Sequence, residues 1–330
     1  MTRLNTLRRT LLATAVLAAS ALAQAQTVKL ALGHGAAPDN PRHVASLKFA
    51  EVLKAKSNGR IEVTVSPSGQ LGNDGALLTA VRSGAVDITA NSQGAVANVV
   101  GEYAAFGMPF LFADVQAAFK VMDGPVGKEL AAKTEEKGMV VLGYWDNGIR
   151  HMTNSKRPIV NPADLNGLKM RTPPDAVTQD IMKAVGATPQ TINFTELYVA
   201  LQQGVVDGQE NPLANIYSAK LYEVNKYVSL TGHKYEMTPF LMSKTAWGKL
   251  SAADKKAVQE AADEATKLQR QLSAEADVKL VAELKSKGAI FNAANKAAFE
   301  KATSAVDDAW AAKADVGAFV KKVIEAARAK

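Results

Sequence analysis

Hydrophobic and polar residues alternate through "TVKLALGHG" (27–35) until the glycines stop the run, and that period of two predicts a strand. Asn40-Pro41 then offers an N-cap followed by Pro at the first helical position, which opens an amphipathic helix through about Ser57. Asn58-Gly59 reads as a turn and "RIEVTVSPSG" as the next strand. The chain therefore begins β-α-β, the pattern of a parallel sheet with helices on its faces. A helix over about 74–82 ends at Gly84, and "AVDITAN" is a third strand.

The pattern then repeats. "AVRSGAVDITANSQGA" (80–95) and "ALQQGVVDGQENPLA" (200–214) both run Ala-x-x-x-Gly-x-Val-Asp, a helix end with Gly at the C′ position and then a short strand. Each spills into polar groups: Asn91 and Gln93 in the first, Gln209, Glu210 and Asn211 in the second. With a second β-α-β pattern over 139–207, this predicts two α/β lobes built on similar plans. Sheets of this kind bind ligands beyond the carboxyl ends of their strands, so two polar strand ends are expected to face one cleft.

Residues 251–287 contain neither Gly nor Pro, and Ser251 with Asp254 forms a capping box. As one helix this stretch measures roughly 55 Å, enough to run along both lobes. The alternative is two helices broken near Gln271–Ala274. "EMTPFLMS" (236–243) reads as a strand returning the chain to the first lobe. The expected organisation is discontinuous, with residues 26–148 and 238–272 in one lobe and 149–237 and 273–330 in the other. Several crossings between lobes suit a hinge-bending protein.

The first residues stand apart from these lobes. Arg3, Arg8 and Arg9 precede an apolar run from Leu11 to Leu22, and Ala23-Gln24-Ala25 fits a cleavage site. This is the layout of a secretory signal peptide cut after Ala25, which implies a periplasmic protein. The run is short for the roughly 20 residues of a spanning helix. The leader takes three of the 39 basic residues and none of the 32 acids, so the net charge of +7 falls on maturation. The remaining positive residues are dispersed among acids, unlike a nucleic-acid patch. There is no cysteine, which excludes disulfides, thiolate metal sites and Cys nucleophiles.

Catalytic and cofactor motifs are missing as well. The four histidines never take metal-ligand spacing, and no GxSxG elbow or GxxxxGK[ST] loop occurs. "GHGAAP" starts like a dinucleotide fingerprint but has Pro38 where its third Gly belongs, so it reads as a tight turn bringing backbone close to a ligand. The reading is a binder without cofactor. Its most informative residue is Arg171 in "LKMRTPPDA": a permanent cation at the mouth of a short strand, with Pro173-Pro174 fixing the backbone beyond it. Asp175 and Asp146 are its possible internal partners; a ligand carboxylate is the external one.

"GQLGN", "SGAVDIT", "MPFLF", "GLKMRTP" and "ALQQGVVDGQENPL", in this order behind an export leader, resemble the solute-binding subunits of tripartite ATP-independent periplasmic (TRAP) transporters of the DctP type. The likeness spans essentially the whole mature chain. It implies a two-lobe fold that closes on an organic acid, a long helix along both lobes and delivery to a membrane permease. It also implies that Arg171 pairs with the ligand carboxylate, that Arg150 in "NGIRHMTN" assists, that Asn211 contacts the same region and that Phe194 packs on the ligand. A planar guanidinium suits this role because it meets a carboxylate in bidentate fashion.

For the rest of the ligand, the first lobe offers His34, Asn73, Asp74, Asn91 and Gln93, donors and acceptors suited to hydroxyls, and no evident second cation. Trp145-Asp146-Asn147, expected at a strand end, adds an aromatic face and further polar groups, Asn147 among them. Glu210 is a further candidate. Together these point to a polyhydroxylated monocarboxylate with hexuronates in front, ahead of a C4-dicarboxylate or an aldonate. A monomer is the expected state.

Overall fold

The computed structural model describes residues 27–329, so the leader and its cleavage point lie outside the described residues. Among the described residues nine strands form one mixed sheet: β1 (Val28–Gly33), β2 (Ile61–Ser66), β3 (Ile88–Ala90), β4 (Met139–Asn154), β5 (Lys169–Thr172), β6 (Thr188–Thr191), β7 (Gly208–Asn211), β8 (Tyr227–Ser243) and β9 (Ile290–Ala293). Their order is β2-β1-β3-β8-β4-β7-β5-β6, with β9 beside β8. β1 to β3 pair in parallel, as do β5 to β7. The two long strands β4 and β8 lie antiparallel between them. β3 joins β8 and β7 joins β4, both antiparallel, so two small parallel sheets are fused through a shared pair of strands.

The repeated motif occupies equivalent places in the two halves. The carboxylate of Asp87 accepts from the backbone N–H of Ala31 on β1 at 2.8 Å, and that of Asp207 accepts from Lys169 on β5 at 2.9 Å. Each Asp also donates its own N–H to the carbonyl of the same residue. In each half this Asp begins the parallel pairing of two strands. Gly84 closes the preceding helix Asp74–Ser83 at φ +80°, a conformation that favours glycine.

Asparagine side chains cap two helix starts, the first of them as expected. Asn40 accepts from Arg42 N–H at the head of Pro41–Lys56, and Asn73 from Ala76 N–H at the head of Asp74–Ser83. The Gly- and Pro-free stretch is one helix, Ala252–Ser286, about 52 Å long. Its first part buries Ala257, Val258, Ala261 and Ala262 in a core with Phe49, Leu53 and Phe240. Its last turns place Leu280 and Leu284 in a second core with Leu197, Leu213 and Ile216. One helix thus seals both halves, and each large apolar side chain so buried contributes roughly 1.5–3 kcal/mol.

Three expectations change. Trp145-Asp146-Asn147 is not a strand end but the middle of β4, which runs sixteen residues. Irregular register near Val141, Asp146 and Arg150 lets the strand bend onward, and Gly148 supplies φ +114° at one of these sites. The returning strand is also longer than "EMTPFLMS", covering seventeen residues. Finally, the last helix, Gly317–Arg328, was expected with the second lobe. It packs on the first-half segments Gly101–Gly107, Val115–Met122 and Pro125–Glu136 as well as on Lys296–Ala311, its neighbour in the expected second lobe. The expected lobe boundaries near 148 and 237 fall inside β4 and β8, and that near 272 inside the long helix.

Candidate ligand-binding cleft

The carboxyl ends of β1, β5, β6 and β7 converge on one small cavity of about 40 Å³. The turn after β1 brings Gly35 and Ala36 to its wall. The helix heads beyond it bring Arg42, Asn73 and Asp74. From the other half come Arg171 with Pro173 and Pro174, then Phe194, Asn211 and Asn215. The shared strands supply Asn147, Arg150 and Glu236. A buried water needs about 10–15 Å³, so the halves as they stand leave room for a few waters.

Arg171 is 1% exposed. Its Nε donates to the carbonyl of Ile192 at 2.8 Å, and its guanidinium lies 6.0 Å from the centre of the Phe194 ring. Among the described residues it forms no ion pair; Asp175, one possible partner, is held by Lys234 and Thr178 instead. Burial drives the Arg171 pKa down to about 10, opposed chiefly by the field of Glu210. A buried guanidinium without its own carboxylate is unfavourable unless something else supplies the charge.

Arg150, expected to assist Arg171, also lines the cavity, but it is paired within the protein. It donates to both carboxylate oxygens of Glu210, to one oxygen of Glu236 and to the Glu210 carbonyl. A longer bond of 3.3 Å reaches Asn211 Oδ1. The two acids raise the Arg150 pKa although burial lowers it, and Arg150 holds the Glu210 carboxyl well below the usual range against burial. Glu210 faces Arg150 from behind the cavity wall rather than lining it. Asn211 lines the cavity and is fixed there by Arg150 and Asn215.

Other predicted residues divide the same way. Phe194, Asn73, Asp74 and Asn147 line the cavity. Trp145 does not: it is fully buried, stacks on Phe240 at 4.3 Å and donates to Thr266 at 2.9 Å. His34 turns inward to His43 at 3.2 Å and accepts from Ala36 N–H; burial lowers its pKa to about 3. Asn91 donates to the Asp74 carbonyl, and Gln93 ties Tyr103 carbonyl to Met237 N–H. These polar side chains satisfy the backbone behind the site, as buried polar groups must.

Sequence reasoning missed Arg42, Glu236 and Asn215. Arg42 carried a signal: it sits in the first turn of a helix, where the macrodipole disfavours a cation. A larger groove of about 830 Å³ passes Phe119 and Arg270, but that guanidinium is already paired with Asp123.

Comparison with known proteins agrees with this geometry. The profile of the bacterial extracellular solute-binding protein family 7, DctP, matches residues 32–314. An uncharacterized protein of Sinorhizobium fredii is 54% identical over 299 residues, which are 88% of this chain and 55% of that relative, so the chain spans about half its length. The sugar acid binding protein of Advenella mimigardefordensis, solved with galactonate, superposes with TM-score 0.89 at 34% identity, covering 92% of this chain and 98% of that one. A TRAP periplasmic solute-binding protein of Polaromonas, solved with D-erythronate, gives 0.88 at 36% identity, covering 92% and 100%. The chain belongs to the bacterial extracellular solute-binding protein family 7, the DctP family of TRAP-transporter solute-binding proteins, whose two lobes and long helix it shares.

Proposed function

We propose that this protein captures a polyhydroxylated monocarboxylate, an aldonate or a hexuronate, in the periplasm and delivers it to a TRAP permease. The observation that carries the reading is Arg171, buried at the carboxyl end of β5, lining the cavity and forming no ion pair among the described residues. It takes the carboxylate, with Phe194 covering its face and Asn211 beside it. Amide and carboxylate groups around the remaining space, from Asn73, Asp74, Asn147 and Asn215, suit hydroxyls. Similarity to the galactonate- and D-erythronate-bound proteins supports the same class. The cavity is too small for such a solute, so the lobes must part to admit it and close to desolvate it.

A C4-dicarboxylate is the second reading, favoured by Arg42, which lines the cavity and, unlike Arg150, forms no ion pair among the described residues. Thermal unfolding of the mature protein with galactonate, glucuronate, galacturonate and succinate separates the two. Ligand at a hundred times its dissociation constant stabilises by about 2.7 kcal/mol. The expected result is a higher unfolding temperature with a sugar acid and no change with succinate. Stabilisation by succinate alone overturns the sugar-acid reading, and a ligand recovered chemically altered overturns the reading as a binder.

A further inference from the structure

Arg42 is 6% exposed, and only one of its three guanidinium nitrogens hydrogen-bonds to the protein among the described residues. That nitrogen, Nη2, donates to Asn147 Oδ1 at 3.0 Å and Thr238 Oγ1 at 2.9 Å, on the two shared strands. The side chain is thereby pinned on one edge, with Nε and Nη1 left over. Asp74, at the head of the next helix, lines the same cavity and likewise forms no ion pair among the described residues. Burial pushes the Asp74 carboxyl up, and Arg42 is the largest influence pulling it back down. The two groups feel each other without satisfying each other.

We propose that Arg42 and Asp74 form a charge filter that accepts the hydroxyl end of the ligand and rejects a second carboxylate. This rests on the reading that Arg171 holds a ligand carboxylate. The leftover guanidinium N–H groups need an acceptor and the Asp74 carboxylate needs a donor. A hydroxyl is the neutral group that provides both. A second carboxylate satisfies Arg42 but meets Asp74 and the Glu236 carboxylate, and it cannot donate to either.

The charge count points the same way. Arg42, Arg150 and Arg171 are balanced by Asp74, Glu210 and Glu236, so the cluster is neutral before a ligand enters. A monocarboxylate places one excess negative charge there, directly on Arg171. A dicarboxylate places two, in a site shut off from water, where like charges are strongly disfavoured. Arg42 alone looks like a dicarboxylate clamp; Asp74 reverses its meaning.

The test uses galactonate and galactarate, which differ only in whether the far carbon is a hydroxymethyl group or a carboxylate. Calorimetric titration of the full mature chain is expected to favour galactonate at least a hundredfold. Asp74→Asn should lower that ratio at least tenfold by strengthening galactarate binding, and Asp74→Ser should do the same if the Asn form unfolds. Arg42→Gln should weaken galactonate about tenfold without restoring galactarate. An unchanged ratio in a folded Asp74 variant, with galactonate still bound by the wild type, overturns the filter and leaves the capture reading standing. A wild type that prefers galactarate also overturns the filter. A wild type that binds neither of these, nor glucuronate or galacturonate, overturns the capture reading, and the filter with it.

Discussion

At the scale of single residues, two arginines of the same cleft do opposite work. Arg150 is saturated by Glu210 and Glu236, whereas Arg171, among the described residues, meets a backbone carbonyl and an aromatic face and forms no ion pair. Arg150→Met should therefore act on folding first: it leaves two buried carboxylates unpaired, at a cost of about 3–5 kcal/mol. Urea unfolding of the ligand-free protein measures this. The pH dependence follows from Glu210, whose carboxyl is held below its usual range, so its stabilisation is present above that range and fades as pH falls through it. In Arg150→Met that acid-side loss should disappear. Motif recognition singled out Arg171 and Asn211 because their neighbours in "MRTP" and "QENP" are distinctive, and Phe194 by its place before "ELY". It could not separate a free arginine from a paired one, since the pairing of Arg150 depends on residues sixty and eighty-six positions away. Arg42 escaped because one charge in a helix looks like a solvated face until the dipole is considered.

At the scale of elements, short-range patterns set most of the architecture. The strand–helix alternation, the Asn40 and Ser251 caps and the unbroken long helix all reappear. The fusion of the two sheets was less visible, because "WDNG" reads as a strand end while its neighbours across the sheet keep it extended. Here Gln269 of the long helix clasps the backbone of Asp146, accepting its N–H at 2.7 Å and donating to its carbonyl at 2.6 Å. The Asp146 side chain is buried, and burial with help from Asp277 raises its pKa to about 7. A raised carboxyl contributes stability below its unfolded value, and that contribution is lost as pH climbs toward the folded one. Asp146→Asn should thus stabilise the protein at pH 8 relative to pH 5, by an amount on the order of 1–2 kcal/mol. Paired thermal scans at the two pH values decide it; equal effects at both would contradict the assignment.

At the scale of the whole molecule, the halves meet across the cleft at close range. Asn98 donates to the Pro174 carbonyl at 2.7 Å, Asn40 to Asn215 at 3.0 Å, and Gly94 lies so near Asp175 that a β-carbon there would collide with it. Gly94→Ala should prop the lobes apart, lowering ligand affinity while leaving unfolding of the ligand-free protein nearly unchanged, as titration and thermal scans would report. Sequence periodicity cannot reveal such a contact, because it exists only between lobes. The most direct test of the account concerns the unpaired cation that organises the cleft. Titration calorimetry of galactonate into the wild type and Arg171→Lys should show the lysine form binding at least tenfold more weakly, since a charge-assisted hydrogen bond of about 1.5–3 kcal/mol is lost with the planar fork. Equal affinity in the two proteins would contradict it.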